Sequence, residues 1–147
     1  MNRFRLAASG RVPAPAGTVY AIIADYQVGH PRIVPPRVFG DFEVLEGGMG
    51  AGTRIRFSMK VLGRKTFTEG RVTEPEPGRL LVEHYDATGI VTSFLVEPEG
   101  RESRVTITTD IPPRRGILGA LERRFMTRFL LPLYEEELAR LARVAAE

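Results

Sequence analysis

The sequence predicts an α+β fold in which an antiparallel sheet is covered by one long C-terminal helix. Two observations carry this. Between Val38 and Asp110 apolar and polar residues alternate in short runs separated by tight-turn signals, the period of half-buried strands. From residue 116 to 146 the period changes to that of an amphipathic helix. Consecutive strands joined by short turns are antiparallel neighbours, and a sheet with one apolar face needs a cover.

The first strand is expected at residues 3–12, ended by Pro13-Ala14-Pro15. Proline suits the first turn of a helix, so Pro15 opens the next element. There Val19, Ile22, Ile23 and Tyr26 fall at i, i+3, i+4 and i+7 and make one apolar face. That helix is expected to stop near Asp25 to Gln27. The proline-dense segment from Gly29 to Pro36 has Ile33 and Val34 at its centre. It reads as a short turn of helix or a lid over an apolar space.

Six strands follow. Phe42 and Val44 begin the alternation, and Gly47-Gly48-Met49-Gly50-Ala51-Gly52 forms a hairpin loop. Thr53, Ile55, Phe57 and Met59 then alternate with Arg54, Arg56, Ser58 and Lys60. Further strands are expected at 65–73, 80–85, 90–96 and 104–110, with turns at 74–78, 87–89 and 97–100. In the strand at 80–85 two phases fit. Either Leu81, Glu83 and Tyr85 point inward, or Leu80, Val82 and His84 do.

The final helix has two apolar stripes. Leu118, Leu121, Phe125 and Phe129 lie before Pro132, and Leu130, Tyr134, Leu138, Leu141 and Ala145 make the second. At about 100° per residue the stripes are offset by roughly a third of a turn. Pro132 lacks an N–H and crowds the preceding turn, so a bend is expected there, each half burying a different face.

The chain of 147 residues suits one domain, 1–147, with one core. Its 43% hydrophobic and 27% charged content is that of an ordinary globular protein. No apolar run is long enough to span a bilayer, and no signal peptide is read at the N-terminus. With no cysteine there is no disulfide or thiolate chemistry, which fits a cytoplasmic protein. The net charge of +3 is dispersed, and no nucleic-acid-binding motif accompanies it.

Several segments together resemble the Bet v 1-like, START-related superfamily, also labelled SRPBCC or polyketide cyclase/dehydrase-like. They are Val12-Pro13-Ala14-Pro15 leading into Val19 to Tyr26, His30-Pro31-Arg32-Ile33-Val34-Pro35, and Gly50-Ala51-Gly52-Thr53. The Glu74-Pro75-Glu76-Pro77-Gly78-Arg79 turn and Tyr134-Glu135-Glu136-Glu137-Leu138-Ala139-Arg140-Leu141 complete the set. The resemblance covers the whole chain. It implies a helix-grip fold: a curved antiparallel sheet of about seven strands around a long C-terminal helix, with two short helices after strand 1 and a cavity between. Family members bind lipids, sterols, plant hormones or polyketides, some are enzymes, and some are chaperone-associated.

On that basis the expected partner is a small hydrophobic or amphipathic ligand. Phe57, Met59, Phe94, Phe125 and Phe129 are expected to wall its cavity, with His30 and Ile33 near the mouth and Tyr26 beside them. Glu83 and Tyr85 add polar contacts in the first of the two phases. A buried Glu83 needs a partner, and in that position is able to act as acid or base or to anchor a polar ligand group. Three alternatives stand: a binding protein, a cyclase or dehydratase using His30, Glu83 and Tyr85, and an interaction module without ligand.

Other features have plain readings. The glycine run at 47–52 precedes a strand, not a helix, so it is a hairpin loop rather than a phosphate cradle. His30 and His84 are the only histidines and lack metal-ligand spacing, so neither metal nor cofactor is expected. Glu122 falls inside the first apolar stripe of the last helix and is expected at a cavity edge or in solvent. Arg114, Arg115, Arg123, Arg124 and Arg128 form a basic stretch, read as a solvated face with an anionic membrane or partner as the alternative. The oligomeric state is left open.

Overall fold

The computed structural model describes residues 4–113 and 116–147. Arg3 of the expected first strand, and Arg114 and Arg115 of the basic stretch, lie outside the described residues. The elements are β1 (Phe4–Val12), α1 (Ala16–Ala24), α2 (Gly29–Ile33), β2 (Phe39–Glu46), β3 (Arg54–Val61), β4 (Arg64–Glu76), β5 (Leu80–Tyr85), β6 (Ile90–Glu99), β7 (Glu102–Ile111) and α3 (Gly116–Ala145).

The seven strands form one curved antiparallel sheet in the order β1-β7-β6-β5-β4-β3-β2. β2 to β7 follow one another as a meander, as alternation and tight turns require. β1 pairs with β7 over its whole length, from Phe4↔Ile111 to Val12↔Ser103. The strands run longer than their alternation suggested. β4 continues to Glu76 through a register shift between Thr73 and Glu76, so the expected turn at 74–78 tightens to the residues after it.

The glycine run joins β2 to β3 and docks on the end of α1. Gly50 N–H donates to Ala24 O at 2.9 Å, and Tyr26 N–H to Gly48 O at 2.9 Å. Glu74 secures the joint: its carboxylate accepts from the Ala51 N–H at 2.7 Å and from the Tyr20 hydroxyl at 2.6 Å. At Gly50, φ is +61°, and a Cβ would stand 2.2 Å from Glu74 Oε1. Only glycine allows both that backbone and that approach.

The core lies between the concave face of the sheet and α1 and α3. Leu81, Val96, Val105 and Ile107 from the strands meet Val19 and Ile23 of α1 and Leu133 and Leu141 of α3, all essentially inaccessible. Each contributes roughly 1.5–3 kcal/mol of burial before conformational entropy is counted.

α3 runs unbroken through Pro132. Its second half is the packed one: Leu130, Leu133, Tyr134, Leu138 and Leu141 are buried. The first half corrects the expected pattern, since Leu118 is 71% and Leu121 58% exposed. Gly119 is the one buried residue among positions 116–124, and α3 first lines the space beneath the sheet at Phe125. Of the basic stretch, Arg123, Arg124 and Arg128 are solvent-facing.

Candidate functional site

Between the sheet and α3 lies a cavity of about 260 Å³. The alternation of the strands builds its walls. β3 sends in Ile55, Phe57 and Met59, β6 sends in Phe94, and the bulged β2 sends in Phe39 and Phe42. Phe42 stacks on Phe57 with centroids 5.7 Å apart, and Tyr85 meets Phe57 edge-on at 6.0 Å. From α3 come Phe125, Met126, Phe129 and Leu130, the two phenylalanines stacked at 5.7 Å. This part of the lining is apolar.

A polar belt crosses the sheet at one level of the cavity. Register places Glu83 of β5 opposite Thr92 of β6, and Thr92 opposite Thr109 of β7. Thr92 and Thr109 share a hydroxyl hydrogen bond of 2.9 Å, and Tyr134 of α3 bonds to Thr109. The phase of β5 is therefore the one that turns Leu81, Glu83 and Tyr85 inward. His84, on the other face, contacts the Thr73 hydroxyl at 2.9 Å.

Glu83, 4% exposed, is the centre of a closed circuit. The Tyr26 hydroxyl donates to Oε2 at 2.6 Å and the Tyr85 hydroxyl to Oε1 at 2.6 Å. His30 Nε2 lies 3.4 Å from Oε2. The His30 ring stacks on Tyr26 at 4.3 Å, and its Nδ1 is 2.7 Å from the Ile23 carbonyl oxygen. A carbonyl can only accept, so Nδ1 carries a proton. Burial, and then the negative charge of Glu83, push both Tyr26 and Tyr85 well above the usual phenol range. Both remain hydroxyl donors at any ordinary pH.

Glu137 of α3 is the second carboxyl group of the cavity and is 5% exposed. Burial first, and Glu83 second, raise it well above the usual carboxylate range. Among the described residues it has no hydrogen-bond partner, and its carboxyl group faces the void. Tyr134 is pushed up to about 12, chiefly by burial.

Eight of the ten expected ligand-facing residues line this cavity: His30, Phe57, Met59, Glu83, Tyr85, Phe94, Phe125 and Phe129. Tyr26 and Ile33 do not; they are packed behind it, 0% and 1% exposed. The expectation of His30 and Ile33 at a mouth is corrected. His30 is 3% exposed, because its ring is held by the Ile23 carbonyl, Tyr26 and Glu83 at the closed end. Glu122, flagged as an anomalous carboxylate, does not line the cavity. Glu137, Tyr134, Thr92 and Thr109 were missed. The signal for Glu137 was present: it lies three residues after Tyr134 and four before Leu141, inside the second stripe of α3.

Comparison with known proteins fits this architecture. The family model described as polyketide cyclase / dehydrase and lipid transport matches residues 3–146. The chain belongs to this family. The KanY protein is 25% identical with a TM-score of 0.87, each chain covered in full. The ZhuI aromatase/cyclase from Streptomyces sp. R1128 is 18% identical with a TM-score of 0.79, over 98% of this chain and 94% of that one. A START superfamily protein from Mycobacterium smegmatis is 15% identical with a TM-score of 0.75, over 95% and 98%. The latter two likenesses establish the fold alone, a long C-terminal helix gripped by the curved sheet. A comparison with curated protein sequences returned no match. No helix among the described residues is long and apolar enough to cross a membrane.

Proposed function

We propose that this protein binds a small apolar or amphipathic molecule in the cavity between its sheet and α3. The observation that carries the reading is the division of the lining, apolar along β2, β3 and the middle of α3, polar at the belt of Glu83, Thr92, Thr109, Tyr134 and Glu137. An amphipathic molecule matches both parts at once. Its apolar body gains about 25 cal/mol per Å² buried, before the costs of ordering it. The family's description, and the aromatase/cyclase among the similar structures, favour a polyketide- or lipid-like ligand.

Native mass spectrometry of freshly purified protein tests this. A co-purified small molecule, lost when Phe57→Trp fills the cavity, is the expected result. A protein that carries nothing, and takes up no polycyclic or acyl probe, overturns it.

A second reading, an aromatase/cyclase- or dehydratase-type enzyme, is favoured by one observation. Two carboxyl groups with different surroundings, Glu83 and Glu137, face one cavity beside the Tyr85 phenol. Such pairs divide acid and base roles. Turnover of a poly-β-ketone substrate is expected to fall at least a hundredfold in Glu83→Gln and His30→Gln. Turnover that survives both substitutions removes this reading and leaves binding.

A further inference from the structure

The polar belt contains one group that nothing among the described residues satisfies. Each oxygen of Glu83 already accepts a phenol, and the hydroxyls of Tyr134, Thr109 and Thr92 are joined in a chain. Glu137 stands apart from both sets. It is 95% buried, it faces the cavity, and no side chain or backbone group among the described residues bonds to it. A buried polar group left in this way is costly unless something outside the protein completes it.

We infer that Glu137 is the ligand-recognition group of the cavity, a carboxylic acid O–H donor that takes an uncharged acceptor oxygen, a ketone or ester carbonyl, and discriminates against carboxylate ligands. This rests on the binding reading above and names the ligand's polar end. The groups facing Glu137 decide the sign. Glu83 and Tyr85 come from β5, Tyr26 from the segment after α1, and Tyr134 from α3 itself; the first is a carboxyl group and the others are phenols. His30 of α2 is turned to Glu83 and the Ile23 carbonyl. Among the described residues no arginine or lysine lines the cavity, so a second anion brought there meets no countercharge from them. Burial and Glu83 both favour the protonated form of Glu137, which makes it a donor with a lone proton to place. In the empty cavity, water serves as acceptor, and a carbonyl oxygen replaces it without losing the bond.

Position adds the ligand's orientation. Glu137 lies twelve residues beyond Phe125 on the same helix, about 18 Å at 1.5 Å per residue. The carbonyl is thus inserted first, to the end where His30 closes the cavity, and the apolar body trails toward Phe129 and Phe125.

Three probes of one shape test the inference: naphthalene, 2-acetylnaphthalene and 2-naphthoate, titrated by protein-observed NMR into wild type, Glu137→Gln and Glu137→Met. In wild type the ketone is expected to bind roughly tenfold tighter than naphthalene, the worth of one donated hydrogen bond. The carboxylate is expected to bind more weakly than naphthalene. Glu137→Gln, which keeps an N–H donor, retains most of the ketone's advantage. Glu137→Met abolishes it while naphthalene binds as before, which also shows that the variant is folded with its cavity intact. Equal affinity for ketone and hydrocarbon in wild type, or an advantage that survives in Glu137→Met, overturns the inference and leaves the binding reading standing. Failure of all three probes overturns both.

Discussion

Replacing Glu137 by leucine exchanges a buried, unpartnered carboxyl group for an apolar side chain of similar volume. The carboxyl group faces a cavity rather than packed apolar atoms, so the gain at low pH is about 1 kcal/mol, the lower end for an unsatisfied buried polar group. The gain then depends on pH in a direction that the structure fixes. Burial and Glu83 raise Glu137 in the folded protein well above its ordinary 4.5. Below 4.5 the group is protonated whether the chain is folded or not, and wild type holds its full stability. As pH rises into the window above 4.5, the unfolded chain releases this proton while the folded one keeps it. Wild type loses stability there by up to about 1.4 kcal/mol per pH unit, until the folded value is passed. The leucine variant lacks the group and escapes that loss. Its advantage is therefore expected to widen as pH rises above 4.5, and to level off once the folded value is passed. Urea unfolding of both proteins at pH 5, 6, 7 and 8, followed by far-ultraviolet circular dichroism, measures the difference while the shared titrations largely cancel. A difference that stays flat with pH, or a leucine variant less stable than wild type at pH 7, refutes the placement of Glu137.

Glu83→Leu strands two buried phenols and is expected to cost about 3–5 kcal/mol. Adding Tyr26→Phe should recover about 1–2 kcal/mol of that, and strict additivity in the double-mutant cycle would contradict the circuit. Gly70→Ala sets a Cβ 2.8 Å from Cε1 of Tyr85 and pushes the ring off its contact with Glu83. A loss of about 1–3 kcal/mol in chemical denaturation is expected, against nearly none if Tyr85 moves freely. The two halves of α3 should separate under alanine substitution. Leu141→Ala, at a 1% exposed position, costs about 2–5 kcal/mol, whereas Leu118→Ala, at 71%, changes thermal stability by less than about 0.5.

The sheet was legible because its strands alternate cleanly and their turns carry proline or glycine, as at Pro77-Gly78 between β4 and β5; the turn expected at 97–100 is instead mostly strand, since β6 runs to Glu99. The order of β2 to β7 followed, since a meander leaves one choice at each step; the place of β1 beside β7 did not. The phase of β5 was not legible. Leu80, Leu81 and Val82 are consecutive and apolar, and only pairing with Phe94 and Thr92 decides which row faces the helix. In α3 the stripe of Leu118, Leu121, Phe125 and Phe129 has the right period, yet its first two members are largely exposed. Periodicity reports a helix that is able to bury a face; it does not report whether a surface lies opposite. The same limit hid the polar belt. Thr92, Thr109 and Tyr134 are ordinary residues on their own segments, and their meeting depends on contacts 17 and 25 residues apart in the chain. Glu137 was readable in principle, as a carboxylate among Tyr134, Leu138 and Leu141.

The bond pattern at Glu83 also constrains how this protein is able to change over generations. Losing the carboxylate alone orphans two hydroxyls, and losing either hydroxyl leaves a buried oxygen short of a donor. Positions 26, 83 and 85 accordingly behave as one heritable unit. A lineage drifts away from the trio by altering all three together, or it keeps them.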